Sequence, residues 1–375
     1  MTIDLIALAS DLINCPSVTP ARGAVFDVLE RALQPLGFEV HRWVMGEAPY
    51  GPTENMVAIR TIGDGPHFGF AGHLDVVPPG DGWDGDPFEA RVEDGILTGR
   101  GANDMKSAIA AFVAAVSRID QVRGTLSLLI TGDEEGFAVF GTPRIIDWLN
   151  ERGIRPDMIL IGEPTSVDRL GDTVKIGRRG SVNLWIEAAG HQGHVAYPHR
   201  ADNPIPPLAS AITALDALVL DEGTETFPPS NLEFTSIATP TNASNVIPGS
   251  ATAQLNIRFN NLHRGENLVA MVEDIVRREA PSATVRARIS GEAFLTPPGQ
   301  LYDLVVEAIR NETGIEPELS TSGGTSDGRF LIQLCPVVDF GLPNASMHKV
   351  GEHAAVADIE SLSRIYERIV RKLLA

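Results

Sequence analysis

Short apolar runs in this chain keep ending in histidine or acidic residues. His67 to Ala71 leads to His73 and Asp75. Thr125 to Ile130 leads to Asp133, Glu134 and Glu135, Met158 to Ile161 leads to Glu163, and Val337 to Phe340 precedes His348. Runs of this length read as buried strands, and helical patterns separate them. Strands alternating with helices predict an α/β sheet with helices on both faces. In such sheets ligands gather beyond the carboxyl ends of the strands, where these polar residues fall.

The remaining elements follow the same rhythm. Helices are predicted over Ala24–Leu33, Met105–Ser117 and Pro143–Asn150, and strands over Phe38–Trp43 and Met56–Arg60. The pattern changes near Lys175. Strands at Val182–Ala188, Leu232–Ile237, Ala251–Phe259 and Val285–Ile289 surround helices at Pro207–Leu220 and Leu268–Glu279. Residues 178–292 therefore read as an inserted α+β domain, with two helices on one face of a small antiparallel sheet. After Pro297-Pro298 the α/β rhythm returns, with helices near Leu301–Arg310 and Ile359–Leu374. Segments 1–177 and 293–375 are then parts of one discontinuous domain.

Each polar residue has a bland reading as well as a chemical one. His73 and Asp75 point the same way on extended backbone, so the carboxylate can hold the imidazole tautomer, or both can be surface residues. Asp104 closes the glycine-rich stretch Gly99-Arg100-Gly101-Ala102-Asn103-Asp104 before a helix, as a bridging carboxylate or an N-cap. Three consecutive acids at 133–135 repel one another unless cations or water intervene. Of such a pair as Glu134 and Glu135, one can bind metal while the other moves protons. Glu163 and His348 alone would be a surface acid and a structural histidine, as would His191, His199, His263 and His353. Together the set supplies what a two-metal hydrolase needs.

The formal net charge of −19 argues against nucleic acid and anionic membrane surfaces as partners, because both would repel the chain. Against that balance, Arg178, Arg179 and Arg258 are candidates for gripping a substrate carboxylate. The hydroxyl- and glycine-rich run 321–328 could present N–H groups to the same kind of ligand. Cys15 and Cys335 lack metal spacing and read as buried, reduced thiols. The first residues carry no leader-like segment and no apolar run reaches membrane-span length, so a cytoplasmic location is expected.

With these residues in view, the chain resembles the di-zinc metallopeptidase family that includes aminoacylases, acetylornithine deacetylase and glutamate carboxypeptidases, along nearly its whole length. The discriminating segments are Gln192-Gly193-His194-Val195-Ala196-Tyr197-Pro198-His199, Asn245-Val246-Ile247-Pro248 and Gly323-Gly324-Thr325-Ser326-Asp327-Gly328-Arg329-Phe330, and Arg178-Arg179-Gly180-Ser181 also fits. The resemblance implies a catalytic domain with a central mixed sheet flanked by helices, and a dimerisation domain at 178–292 that makes a homodimer. It implies two Zn2+ per subunit, with Co2+ or Mn2+ fitting the same ligands. His73 and Glu163 would hold one, Glu135 and His348 the other, and Asp104 would bridge, followed by a cis peptide to Met105. Asp75 would orient His73, Glu134 would be general base and acid, and His194 would stabilise the oxyanion in the partner subunit's site. Arg178, Ser181, Tyr197, Asn245, Arg258, Gly324, Thr325 and Asn344 match substrate-binding positions. Asn103 departs from the residue common among relatives. The implied reaction is hydrolysis of N-succinyl-LL-2,6-diaminopimelate to succinate and LL-2,6-diaminopimelate, a step of lysine and diaminopimelate biosynthesis. The alternatives are deacylation of another N-acyl amino acid, of the acetylornithine type, and metal binding without catalysis.

Overall fold

The computed structural model describes residues 2–119 and 123–375. The chain divides into two compact units. The first comprises Met1–Gly177, Thr296–Ser320 and Ser326–Ala375, and the second Arg178–Leu295 and Thr321–Thr325.

The first unit is built on an eight-stranded mixed sheet. At its centre the strands Gly124–Thr131, His67–His73, Met158–Ile161 and Val337–Asp339 run parallel in that spatial order. Being buried on both faces, they carry mainly apolar residues rather than a strict alternation. Alternation within a strand still sorts the side chains. Phe68 and Phe70 pack toward the helices Lys106–Ser117 and Val356–Leu373, where Phe70 stacks on Phe112 at 4.2 Å and meets the edge of Tyr366 at 5.5 Å. Ala71 joins a second cluster with Val57, Leu129, Ile159 and Ile161, against Ile145, Ile146 and Leu149 of the helix Thr142–Glu151. The helix Lys106–Ser117 is buried over its whole length, which its alanines permit by letting neighbours approach closely.

Two differences from the sequence reading have physical causes. The strand expected from Met56 begins at Thr53, because Glu54 and Asn55 are polar yet buried. Asn55 donates Nδ2 to the Phe140 carbonyl at 2.7 Å, and Glu54 accepts from Gly23 N at 2.6 Å and Arg42 Nε at 2.8 Å. The helix Leu5–Ile13, not expected at all, is capped by Asp4 Oδ1 accepting from Ala7 N at 3.0 Å. Cys15 and Cys335 are free, as expected, but part-exposed rather than buried. Burial pushes the Cys335 thiol up to about 12 all the same.

The second unit holds a four-stranded antiparallel sheet in the order Asn231–Ala238, Ser250–Phe259, Gly180–Ala189, Ala283–Gly291. Val182, Leu184, Ile186 and Ala188 point to one face. There they pack with Leu208, Ala211 and Leu215 of the helix Ile205–Asp216, and with Leu268, Val272 and Val276 of the helix Gly265–Glu279. Among the described residues no helix is long and apolar enough to cross a membrane.

Truncating the stacked centre of the first unit tests this packing. Phe112→Ala should cost about 3–5 kcal/mol in urea unfolding. A loss below about 1 kcal/mol would mean the aromatic cluster is not a packed core.

Candidate metal centre

Three neighbouring parallel strands bring their carboxyl ends to one edge of the sheet, and the ligand-type residues arrive with them. His73 is the last residue of its strand and pairs in register with Thr131, just before Asp133-Glu134-Glu135. Ala71 pairs with Ile161, two positions before Glu163. Asp104 comes from the loop ahead of the helix Lys106–Ser117, with a cis peptide to Met105. His348 follows the fourth strand on a turn, with φ of 62°, a left-handed backbone uncommon outside glycine.

Asp104 lies between two imidazoles. Its Oδ1 is 3.1 Å from His73 Nε2 and its Oδ2 is 3.3 Å from His348 Nε2. His348 Nε2 is also 3.0 Å from Glu135 Oε1, and His73 Nε2 is 3.7 Å from Glu163 Oε1. Ligand atoms of His73, Asp104 and Glu135 all lie within 4.8 Å of one another, as do those of His73, Glu134 and Glu163. The donors are imidazole nitrogens and carboxylate oxygens, the set that suits zinc and its divalent neighbours. Without cations, four carboxylates would share this space with two imidazoles, so the donor chemistry fits metal binding.

The supporting contacts differ in one respect from the sequence expectation. The sequence leads one to expect the Asp75 carboxylate against the imidazole, yet its Oδ1 is 3.7 Å from His73 Nδ1. The Asp75 carbonyl takes the closer place at 2.9 Å. The carboxylate instead accepts N–H of Glu134 at 3.2 Å and of Glu135 at 3.0 Å, which aligns the acidic turn. Asp133 turns away: its Oδ1 accepts from Thr131 Oγ1 at 3.1 Å and its Oδ2 from Phe140 N at 2.9 Å. Gly141 makes room for it, since a Cβ there would stand 1.7 Å from Asp133 Oδ1.

Burial and neighbouring charges both show in the proton affinities. Burial pushes Glu134 up to about 8, with the charge of Asp327 adding to the rise and Arg329 opposing it. Burial also pushes Asp75 up to about 7. Hydrogen bonds to Asp104 and Glu135 push His348 up to about 10. Burial works against ionisation of Asp104, but bonds from His348 and His73 outweigh it and hold the carboxyl well below the usual range.

Sequence reasoning misses Arg329 as a neighbour of Glu134. Its side chain is only 6% exposed, with Nη1 3.6 Å from Glu134 Oε1 and Nη2 3.9 Å from Asp327 Oδ1. A lone arginine after a glycine-rich loop carries no spacing signal, although it lies within one of the segments that carry the family resemblance.

The other expected residues fall into separate groups. Asn344 belongs to the first unit, its N–H bonded to the Ser166 carbonyl at 2.9 Å. In the second unit Arg178 donates Nη1 to the Gly324 carbonyl at 3.1 Å, Thr325 is the next residue, and Ser181 pairs across the sheet with Arg258. His194 pairs with Val246, Val195 N donates to the Asn245 carbonyl at 3.1 Å, and the Tyr197 ring lies 5.8 Å from that of His194. His263 is tied to Asp221 at 2.9 Å and His353 to the Gly351 carbonyl at 2.8 Å, both structural partners.

Comparison with known proteins supplies independent findings. Residues 69–372 match the Peptidase family M20/M25/M40. The chain is 60% identical over 372 residues to a succinyl-diaminopimelate desuccinylase of Sphingopyxis alaskensis, covering 99% of this chain and 98% of that one. A tripeptidase structure from Staphylococcus aureus superposes with a TM-score of 0.84 at 20% identity, covering 99% and 98% of the two chains. A Bacillus subtilis dinuclear metal binding peptidase of the M20 family gives 0.73 at 16%, covering 99% and 97%. The two structures share the α/β fold with its central mixed sheet.

A group that binds its proton more tightly in the fold stabilises the fold at low pH and loses that contribution as pH rises through the folded value. For Glu134 the window runs from the ordinary 4.5 to about 8. Chelator-treated protein should therefore lose thermal stability as pH rises through that window, and Glu134→Gln should flatten the decline. Parallel stability profiles for the two metal-free proteins would refute the protonated cluster.

Proposed function

The chain belongs to the peptidase family M20/M25/M40 and is a metal-dependent amidohydrolase; from that premise we propose that it hydrolyses N-succinyl-LL-2,6-diaminopimelate to succinate and LL-2,6-diaminopimelate. The observation that carries the reading is Asp104, buried and facing His73 with one oxygen and His348 with the other, beside a second carboxylate pair in Glu134 and Glu135. The 60% identity to a succinyl-diaminopimelate desuccinylase, over nearly the full length of both chains, supports the substrate.

In this reading His73 and Glu163 would hold one Zn2+, Glu135 and His348 would hold the other, and Asp104 would serve both. Bound divalent ions polarise an amide carbonyl and make water easier to deprotonate. Glu134 takes the proton as water attacks the succinyl carbonyl, forming the new C–O bond. It then delivers the proton to the departing amine as the C–N bond breaks. A carboxylate within reach of the water and the amine can serve both halves of that task. Arg329 steadies the anionic form of Glu134, and Asp75 aligns the turn that presents it.

The substrate's carboxylates require cations and donors of their own. Arg178 and Arg258, with Ser181, Tyr197, Gly324, Thr325, Asn245 and Asn344, are our assignment for that role. The second unit is assigned as the dimerisation domain. His194 then serves the partner subunit's site, where it stabilises the oxyanion.

Glu134→Gln should bind its metals and lose roughly 10²–10⁴-fold in turnover of the succinylated substrate. Normal turnover would remove Glu134 from the chemistry. Purified protein should cleave N-succinyl-LL-2,6-diaminopimelate well ahead of N-acetylornithine, with activity lost to chelator and restored by Zn2+. The reverse preference would overturn the substrate assignment. Mixing inactive His194→Ala and Glu134→Gln proteins should restore part of the activity, and no recovery after proven subunit exchange would contradict a trans role.

A further inference from the structure

We propose that Glu352 is a positioning residue that holds Asp104 and His348 in register as metal ligands, working through a buried clamp with Arg100. The inference rests on the reading of those two residues as ligands.

The loop 99–104 has no strand or helix of its own to satisfy its backbone. Gly101 adopts φ of 88° and a Cβ there would stand 2.8 Å from Lys106 Cδ, so the turn is tight and packed. The N–H groups of Asn103 and Asp104, just ahead of the helix Lys106–Ser117, are buried and need acceptors. One oxygen supplies both: Glu352 Oε1 accepts from Asn103 N at 2.8 Å and from Asp104 N at 2.9 Å. Its other oxygen accepts from Arg100 Nη1 at 2.7 Å, and both side chains are 1% exposed.

Arg100 extends the grip. Nη1 also donates to the Lys349 carbonyl at 3.2 Å and Nη2 to the Pro79 carbonyl at 3.0 Å, while the guanidinium lies 5.2 Å from the Trp83 ring centroid. Backbone bonds complete the strap. Gly99 N donates to the Glu352 carbonyl at 3.0 Å, and Thr98 pairs with His353 across a small antiparallel sheet. Asn103 Nδ2 donates to the Pro343 carbonyl at 2.7 Å. His348 sits on the turn between Pro343 and Glu352, in its left-handed conformation. Two segments far apart in sequence are thereby locked at both ends, and His348 Nε2 meets Asp104 Oδ2 at 3.3 Å between the locks.

Glu352 does not ligate, because N–H groups and a guanidinium use both its oxygens. A buried ion pair adds little net stability over apolar residues of similar volume, but removing one partner leaves the other charge buried and unpaired. The carboxylate also lies beside the anionic Asp104, a cost that Arg100 offsets.

The test is Zn2+ titration calorimetry of chelator-treated wild type, Glu352→Ala, Glu352→Gln and Arg100→Lys, alongside thermal unfolding of each without metal. Wild type should take up two Zn2+ equivalents. Glu352→Ala should bind at least one of them about 10–100-fold more weakly. Glu352→Gln keeps an acceptor for the two N–H groups but meets Arg100 badly, and should fall between. If Glu352→Ala does not fold, Glu352→Gln and Arg100→Lys decide. Zn2+ affinities within about twofold of wild type in the folded variants would overturn the clamp, even if their unfolding temperatures drop, because that pattern marks a structural role alone. No Zn2+ uptake by wild type would sink the ligand reading first, and the clamp with it.

Discussion

His73, His348, Asp104, Glu134, Glu135 and Glu163 occupy a volume in which neighbouring polar atoms stand only 3.0 to 3.7 Å apart. Those short contacts join imidazole to carboxylate, but they gather several carboxylates together, and like charges so gathered repel unless protons or cations lie between them. In the metal-free protein burial raises the proton affinities of Glu134 and Asp75, with neighbouring carboxylates adding to the rise, and bonds to Asp104 and Glu135 raise that of His348. A divalent cation meets the same demand without a proton, which is why a site shaped this way suits metal and why its carboxylates are spared for chemistry. Asp104 lies between the two imidazoles, and the geometry of the centre depends on where its two oxygens point.

That placement is decided by backbone outside the cluster. The parallel strands deliver His73, the acidic turn and Glu163 to one sheet edge, as ordinary α/β construction does. They do not by themselves orient anything. Orientation comes from Asp75, whose carboxylate receives the N–H groups of Glu134 and Glu135, and from Glu352, which does the same for Asn103 and Asp104. Each acid stabilises a turn whose own side chains are acids. The arrangement works because a backbone N–H dipole attracts one carboxylate while leaving the next free to face the cluster.

Much of the framework is legible in the chain. The helix Ala24–Leu33 and the strand Met158–Ile161 run over the expected residues, because their apolar patterns are uninterrupted and their ends are marked. The strand Thr53–Ile62 outruns its expected start because Glu54 and Asn55 are buried through partners that lie elsewhere in the sequence. The polar atoms of a strand read as a loop until those partners are known. The same reasoning explains Arg329 and Glu352. Each is a single charged residue whose meaning comes from contacts to residues well over two hundred positions away in one case, and from a turn across the sheet in the other.

The amino-acid order alone determined the residue types at the strand ends, the alternation that makes a mixed α/β sheet, and the motifs that tie the chain to its family. Those depend on local periodicity and on side-chain chemistry, both written residue by residue. Tertiary structure decided which oxygen faces which nitrogen, that the carbonyl of Asp75 and not its carboxylate lies nearest His73, and that Asp133 leaves the cluster its neighbours form. Such choices turn on distances of an ångström between groups from remote segments, and only the packed chain brings those groups within reach of one another.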